Sequence, residues 1–329
     1  MNFNKSIIIL YNKLPDKPTK DAEDVLYQVN AVFNALQSLG FHTVKLAFNG
    51  DFGELTKNIK AANPALVFNL VEEVSGKGKL SYLLPSYFES MNIKYTGCSG
   101  EAIMLTTNKI ITKKLLKISG IPTAPWVSEE QDYGFNSNDT YIIKAVYEDG
   151  SIGLSQDSIV KCENINKLIS ILKALKEKTG NEVFAEKYID GREINISILG
   201  NKVNPIVLTP CEIKFSGFEG MNKAKIFDYR AKWEEDSFEY QNIKSSNSFE
   251  IKDEELLKEL KRFSLLCWQE FNLNGYGRVD YRIDSEGKPY VLELNANPCI
   301  TPGDSSFIRS TEKSGLTYEE IIKSIISAI

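Results

Sequence analysis

Residues 277–297, GRVDYRIDSEGKPYVLELNAN, constrain this chain more than any other stretch, because they read as two strands joined by a tight reversal. Side chains alternate across a strand, so Arg278 and Asp280 share one face of the first strand, and Glu293 and Asn295 share a face of the second. The connection Asp284-Ser285-Glu286-Gly287-Lys288 has turn chemistry and is flanked by runs rich in Val, Ile, Leu and Tyr. Two carboxylates, a carboxamide and a cation therefore converge. Few oxygen ligands, with room left for phosphate oxygens, is how magnesium is held beside a nucleotide. On this pattern alone a solvated charged face is the simpler account, and the rest of the chain reverses that judgement.

At 329 residues the chain exceeds one ordinary domain and predicts two or three units around a cleft. Hydrophobic and charged contents of 42% and 25% fit a globular protein, and no apolar stretch approaches a membrane span. The start, MNFNKSIIIL, lacks the pattern of a secretory signal, so a cytoplasmic address is expected. Five scattered cysteines without a CxxC pair fit a reducing compartment and argue against a zinc knuckle. A net charge of -5 without a basic stripe disfavours nucleic acid and a membrane surface as partners and favours small molecules. His42 is the only histidine, which excludes a multi-histidine metal site and weakens Ser/His or Cys/His schemes; it reads as covering a helix-to-strand joint.

The first hundred residues alternate strand and helix: strands at 6–11, 43–47 and 65–71, helices at 22–39 and 80–90. Val25, Val29, Val32, Phe33, Leu36 and Leu39 fall on one helical face, with Asp21 as the expected cap and Gly40 past the end. This predicts a parallel α/β domain over 1–105, although no GxGxxG follows the first strand. A capped helix is expected over 106–119, stopped by Pro122 and Pro125. A strand over 141–146, with Lys144 near its end, then leads into the glycine-containing turn 148–153, whose N–H groups suit phosphate oxygens. A helix at 165–178 precedes the strand 183–189, which taken alone also reads as an edge strand with solvated charges. These pieces form a central unit over 106–190. The last unit, 191–329, carries the hairpin, helices at 254–271 and from 317, and an irregular, aromatic-rich stretch at 211–250 that reads as a mobile loop.

In this order the segments TNKIITKKLLKISGIPTAPW, YIIKAVYEDGSIG, VFAEKYIDGREINISILG and FDYRAKW, with the hairpin, resemble the ATP-grasp superfamily, most closely its D-alanine–D-alanine ligase branch. The resemblance implies a three-domain α/β ATP-grasp fold and an ATP-dependent carboxylate–amine ligase, working through an acyl phosphate and releasing ADP and phosphate. It implies ATP and two magnesium ions as cofactors, and a homodimer as a frequent state of relatives. It places Lys109 and Lys144 on the phosphates with Gly150, Ser151, Ile152 and Gly153 closing over them. Glu186, Lys187 and Ile189 would hold the adenine, Glu193 the ribose, and Lys232 the terminal phosphate. Asp280, Glu293 and Asn295 would bind magnesium, and Arg278 would stabilise the transition state.

At the substrate end the chain departs from that branch. Its members place a glutamate after the first strand, a serine in the phosphate loop and a tyrosine on the mobile loop. Here Asp16, Asp21, Glu23 and Asp24 are the available substitutes, Gly150 stands in the serine position, and Trp233 replaces tyrosine. Cys299 stands for an oxyanion glycine, Asp304 for the serine that grips the acceptor carboxylate, and Glu72 or Glu73 are candidate substrate contacts. The expected substrates are therefore not two D-alanines. A divergent D-alanine–D-alanine ligase is the nearest rival, and a nucleotide-binding protein without chemistry is the rival from another class.

Overall fold

The computed structural model describes residues 6–18, 20–147, 153–221, 223–303 and 305–329. Strands β1 (Ile7–Asn12), β2 (Thr43–Phe48) and β3 (Leu66–Leu70) form a parallel sheet in the order β2-β1-β3. Strands β1 and β3 are largely buried apolar runs because helices cover both faces, whereas the edge strand β2 leaves Val44 and Lys45 exposed. Helix α1 (Lys20–Ser38) buries Val25, Val29, Val32 and Leu36 on one face. It begins before Asp21, which therefore lies within the helix and is not its cap. Helix α2 (Phe52–Ala62) is capped by Asp51, whose carboxylate accepts from the amides of Gly53 and Glu54. A Leu36→Ala change in this core would cost about 2–5 kcal/mol.

Helix α3 (Leu83–Ser90) ends this region. Where one helix is expected over 106–119, the chain forms two: α4 (Gly100–Thr107) and α5 (Lys109–Ile118). Asn108 breaks the run because its extended backbone lets its side chain cap α5, accepting from the amides of Ile110 and Ile111. Strands β4 (Trp126–Val127), β5 (Thr140–Ala145), β6 (Ile159–Lys161) and β7 (Val183–Lys187) make an antiparallel sheet ordered β4-β7-β5-β6, backed by α6 (Ile165–Thr179). Strand β7 is thus interior, and its charges are not those of a solvated edge.

The largest sheet centres on β8 (Arg192–Gly200), with β9 (Pro205–Val207) on part of its length and β10 (Cys211–Phe215) beside it. The stretch 211–250 is less irregular than expected. After α7 (Tyr229–Trp233) and α8 (Phe238–Asn242), strand β11 (Ile243–Ser246) pairs antiparallel with β10. Helix α9 (Glu254–Glu270) packs on the sheet through Leu260, Phe263, Cys267 and Trp268. Strands β12 (Gly275–Ile283) and β13 (Pro289–Ala296) form the expected hairpin, completing the order β11-β10-β8-β12-β13.

Helices α10 (Ser306–Lys313) and α11 (Tyr318–Ser327) close the chain. They bridge the last unit and the first, packing on Leu199 of β8 and Tyr276 of β12 as well as on the first sheet. Phe307, Ile308, Ile321, Ile322 and Ile325 share one core with Ile7, Val29, Leu36 and Phe68 of the first sheet.

Candidate active site

The hairpin pairs Arg278 with Asn295 and Asp280 with Glu293, so the four side chains singled out in the sequence are cross-strand neighbours. The register then shifts: Tyr281 faces Val291, leaving Leu292 as an extra residue in a β-bulge beside the acidic pair. Asp280 is buried and accepts Arg278 Nε at 2.7 Å and Nη2 at 2.8 Å. Asn195 of β8 adds a bond at 2.7 Å, and Asn295 donates to Asp280 at 3.0 Å and to Glu293 at 3.4 Å.

Burial pushes the Asp280 carboxyl up to about 6 despite Arg278, and Glu293 opposite adds to the rise. Burial also opposes ionisation of Glu293. Lys109, Lys144, Arg278 and Lys232 outweigh it and hold that carboxyl down at about 2. Lys109, the first residue of α5, brings its ammonium 4.0 Å from Glu293. Lys232 of α7 sits 5.4 Å from the Phe227 ring centroid, with its pKa lowered by burial first and by Arg278 second.

Between the two antiparallel sheets these groups line one cleft of about 1900 Å³. Lys144 of β5 enters it from one sheet, Arg278, Asp280, Glu293 and Asn295 from the other. Lys187, Ile189, Glu193 and Gly153 are on its wall as well. Lys187 pairs with Asp139 at 2.9 Å, and Glu193 with Arg282 at 2.9 Å. Both carboxylate oxygens of buried Glu186 are taken by lysines: Lys113 on Oε1, and Lys144 on Oε2 at 2.5 Å. Glu73, Glu72, Glu23, Asp24 and Cys299 line the same cleft. There Asp24 Oδ2 lies 3.6 Å from Cys299 Sγ and accepts Thr301 Oγ1 at 3.2 Å. Gly150, Ser151, Ile152 and Asp304 lie outside the described residues, as does the Trp233 side chain.

The donor set suits a hard cation. Asp280 and Glu293 stand directly opposite each other, a like-charge placement that destabilises an antiparallel pair unless a cation intervenes. Among the described residues no three His, Cys, Asp or Glu side chains gather as a metal site, so the oxygen set is two carboxylates and an amide, sparse enough to leave coordination to phosphate oxygens.

Residues 115–327 match the protein family described as D-ala D-ala ligase C-terminus. The chain belongs to this family. It is an ATP-dependent ligase of the ATP-grasp fold that forms an amide bond. A D-alanine–D-alanine ligase B from Clostridium perfringens is 28% identical over 312 residues, covering 94% of each chain. An uncharacterised protein of Sinorhizobium fredii is 28% identical over 310 residues, covering 90% of this chain and 85% of that one. Among solved structures, a D-alanine–D-alanine ligase from Bacillus anthracis aligns over 98% of this chain and 97% of its own, with a TM-score of 0.74 and 23% identity. A D-Ala:D-Ser ligase from Enterococcus faecalis covers 98% and 99%, with a TM-score of 0.70 and 18% identity. These two likenesses are of fold.

Three residues of the ligase site escape the sequence reading. Asn195 was legible: Glu193, Asn195 and Ser197 alternate with Ile194, Ile196 and Ile198, the signature of a strand with one polar face. Arg282 continues the Arg278–Asp280 alternation and reaches Glu193, the Gly191 carbonyl and the Lys225 carbonyl. Lys113 gives no such signal. It lies among Lys109, Lys114 and Lys117 on a helix, where lysines ordinarily face water, yet it is fully buried.

Proposed function

We propose that the chain joins a carboxylate to an amine that is not D-alanine, through an acyl phosphate, with Asp280, Glu293 and Asn295 holding magnesium. The observation that carries this reading is the meeting of four cations with the hairpin carboxylates in one cleft. A carboxylate is a poor electrophile because its leaving group is oxide. Its oxygen attacks the terminal phosphorus of ATP and ADP departs; the amine then attacks the acyl carbon, loses a proton, and phosphate leaves. Positioning and charge neutralisation dominate phosphoryl transfer, so no histidine is required.

Lys109, Lys144 and Lys232 bind the phosphates, and the partial burial of Lys232 strengthens each contact it makes. Lys187 and Ile189 flank the adenine, while Glu186, whose two carboxylate oxygens are bonded to Lys113 and Lys144, positions Lys144 rather than holding the adenine; Glu193, oriented by Arg282, takes the ribose. Arg278, fixed in direction by its two bonds to Asp280, faces the oxyanion of the tetrahedral intermediate. Magnesium at the hairpin would neutralise charge on the phosphate oxygens. The segment that carries Lys232 acts as the lid. It is tied to the smaller sheet, since Gln156 bonds Ala224 at 2.9 and 3.0 Å and Tyr188 Oη accepts the Lys225 amide at 2.8 Å, and to the hairpin, since Arg282 donates to the Lys225 carbonyl.

Exclusion of D-alanine rests on Asp304, Trp233 and Cys299, which replace the groups relatives use for their substrates. The names of the relatives favour the rival, a D-alanine–D-alanine ligase. A pool of carboxylates and amines, screened for ADP release with the product weighed by mass spectrometry, separates the two. D-alanyl-D-alanine as the main product overturns the proposal.

A further inference from the structure

We propose that Lys113 is a positioning residue for Lys144, acting through Glu186: its buried charge lets Glu186 hold Lys144 without cancelling the positive charge that Lys144 shows to the cleft. This rests on the reading of Lys144 as a phosphate contact.

The three groups form a chain from core to cleft. Lys144 lies on β5 opposite Phe184, and Glu186 lies on β7 opposite Ile142, so the two are diagonal neighbours on one face of the sheet. Lys144 Nζ donates to Glu186 Oε2 at 2.5 Å. The other carboxylate oxygen accepts from Lys113, which also donates to Thr123 Oγ1 at 2.7 Å and lies 5.2 Å from the Trp126 ring centroid. Side-chain exposure falls along this chain, from 18% at Lys144 to 1% at Glu186 and 1% at Lys113. Lys113 is absent from the cleft wall, so it acts on a ligand only through its neighbours.

Charge arithmetic decides what it does. A carboxylate beside Lys144 fixes its direction, but that pair alone is neutral and a phosphate gains little from it. Adding the Lys113 ammonium leaves the triad with one net positive charge, and the member nearest the cleft is Lys144. A purely structural role is the weaker account, since buried ion pairs replaced by apolar groups of similar volume often leave a protein as stable or more so. Burial lowers the Lys113 pKa, while Glu186 works in the opposite direction and supports the charged form.

The test measures binding of two probes by calorimetry: the ATP analogue adenylyl imidodiphosphate with magnesium, and adenosine, which has no phosphates. Lys113→Met should weaken the triphosphate by about tenfold or more, equivalent to about 1.4 kcal/mol, and leave adenosine within twofold. Lys113→Met with Glu186→Gln removes both buried charges and keeps an amide oxygen for Lys144. That double variant should restore triphosphate affinity to within about threefold of wild type, whether or not the single variant folds. Equal weakening of both probes, or a double variant that binds the triphosphate as poorly as Lys113→Met, overturns the proposal. So does a double variant that does not fold. A wild-type protein that binds neither probe overturns the nucleotide reading itself, and this inference with it.

Discussion

Asp280→Asn and Glu293→Gln remove the same charge from facing positions on one hairpin, yet the structure predicts different consequences for folding. Asp280 carries little stabilising charge of its own, because burial pushes its carboxyl up to about 6. Its partner carries the cost: Arg278 would lose the carboxylate that takes two of its N–H groups, and breaking a buried pair in this way costs about 3–5 kcal/mol. Glu293 is different. Its pKa of about 2, against an ordinary 4.5, corresponds to about 3 kcal/mol before screening. Its side chain is 32% exposed and its salt-bridge partner Lys109 is 4.0 Å away, so about 1–2 kcal/mol is the expected share. With about 2–4 °C of melting temperature per kcal/mol, Asp280→Asn should melt at least about 6 °C lower and Glu293→Gln only a few degrees lower. Both should lose magnesium-dependent ADP release on the substrate pair found by the pool screen, by about 100-fold or more, since several kcal/mol of charge stabilisation is at stake. Circular dichroism melts and a coupled ADP assay read the two quantities. Near wild-type turnover in Glu293→Gln would refute the metal reading. Equal melting shifts would refute the role given to Arg278.

Acid stability should depend on Asp253, whose carboxylate accepts Arg192 at 2.6 and 3.1 Å and is held below its ordinary pKa by that arginine first. A depressed carboxyl stabilises the fold above its unfolded value of about 4 and loses that contribution as pH falls through the folded value. Asp253→Asn should therefore melt lower than wild type at pH 7, with the gap closing in acid; a gap independent of pH counts against this. The resemblance sets Asp304 in the position of the serine that grips the acceptor carboxylate, where two negative charges about 4 Å apart would repel by about 4 kcal/mol at an effective dielectric of 20, about a thousandfold in affinity. Asp304→Ser should accordingly admit simple amino acids, D-alanine included, and lower activity on the native acceptor, and unchanged acceptor preference sinks the idea.

The hairpin was legible because period-two alternation, a turn of Asp, Ser and Gly, and four polar positions agree on one register. Strand β8 shows in the sequence only as the alternation of Glu193, Asn195 and Ser197 with Ile194, Ile196 and Ile198. The division at Thr107 was hidden because both sides of Asn108 form helix; only its extended backbone turns one helix into two. Lys113 was beyond reach. Nothing local distinguishes a lysine that faces water from one covered by a sheet, and the proximity of Glu186, 73 residues further on, is a property of the fold. The Cys299–Asp24 approach joins distant parts of the chain and is equally invisible to local pattern.

The core shared by the first sheet and the last two helices sets an order of events during synthesis. Val29 and Leu36 leave the ribosome nearly three hundred residues before Ile321 and Ile325, the side chains that complete their packing. At about 5–20 residues per second, one apolar face waits roughly 15–60 s for its cover. The nascent chain therefore carries an aggregation-prone surface until it is almost finished. A fragment confined to residues 115–327 would meet the converse problem, with its terminal helices denied the sheet they were shaped to cover.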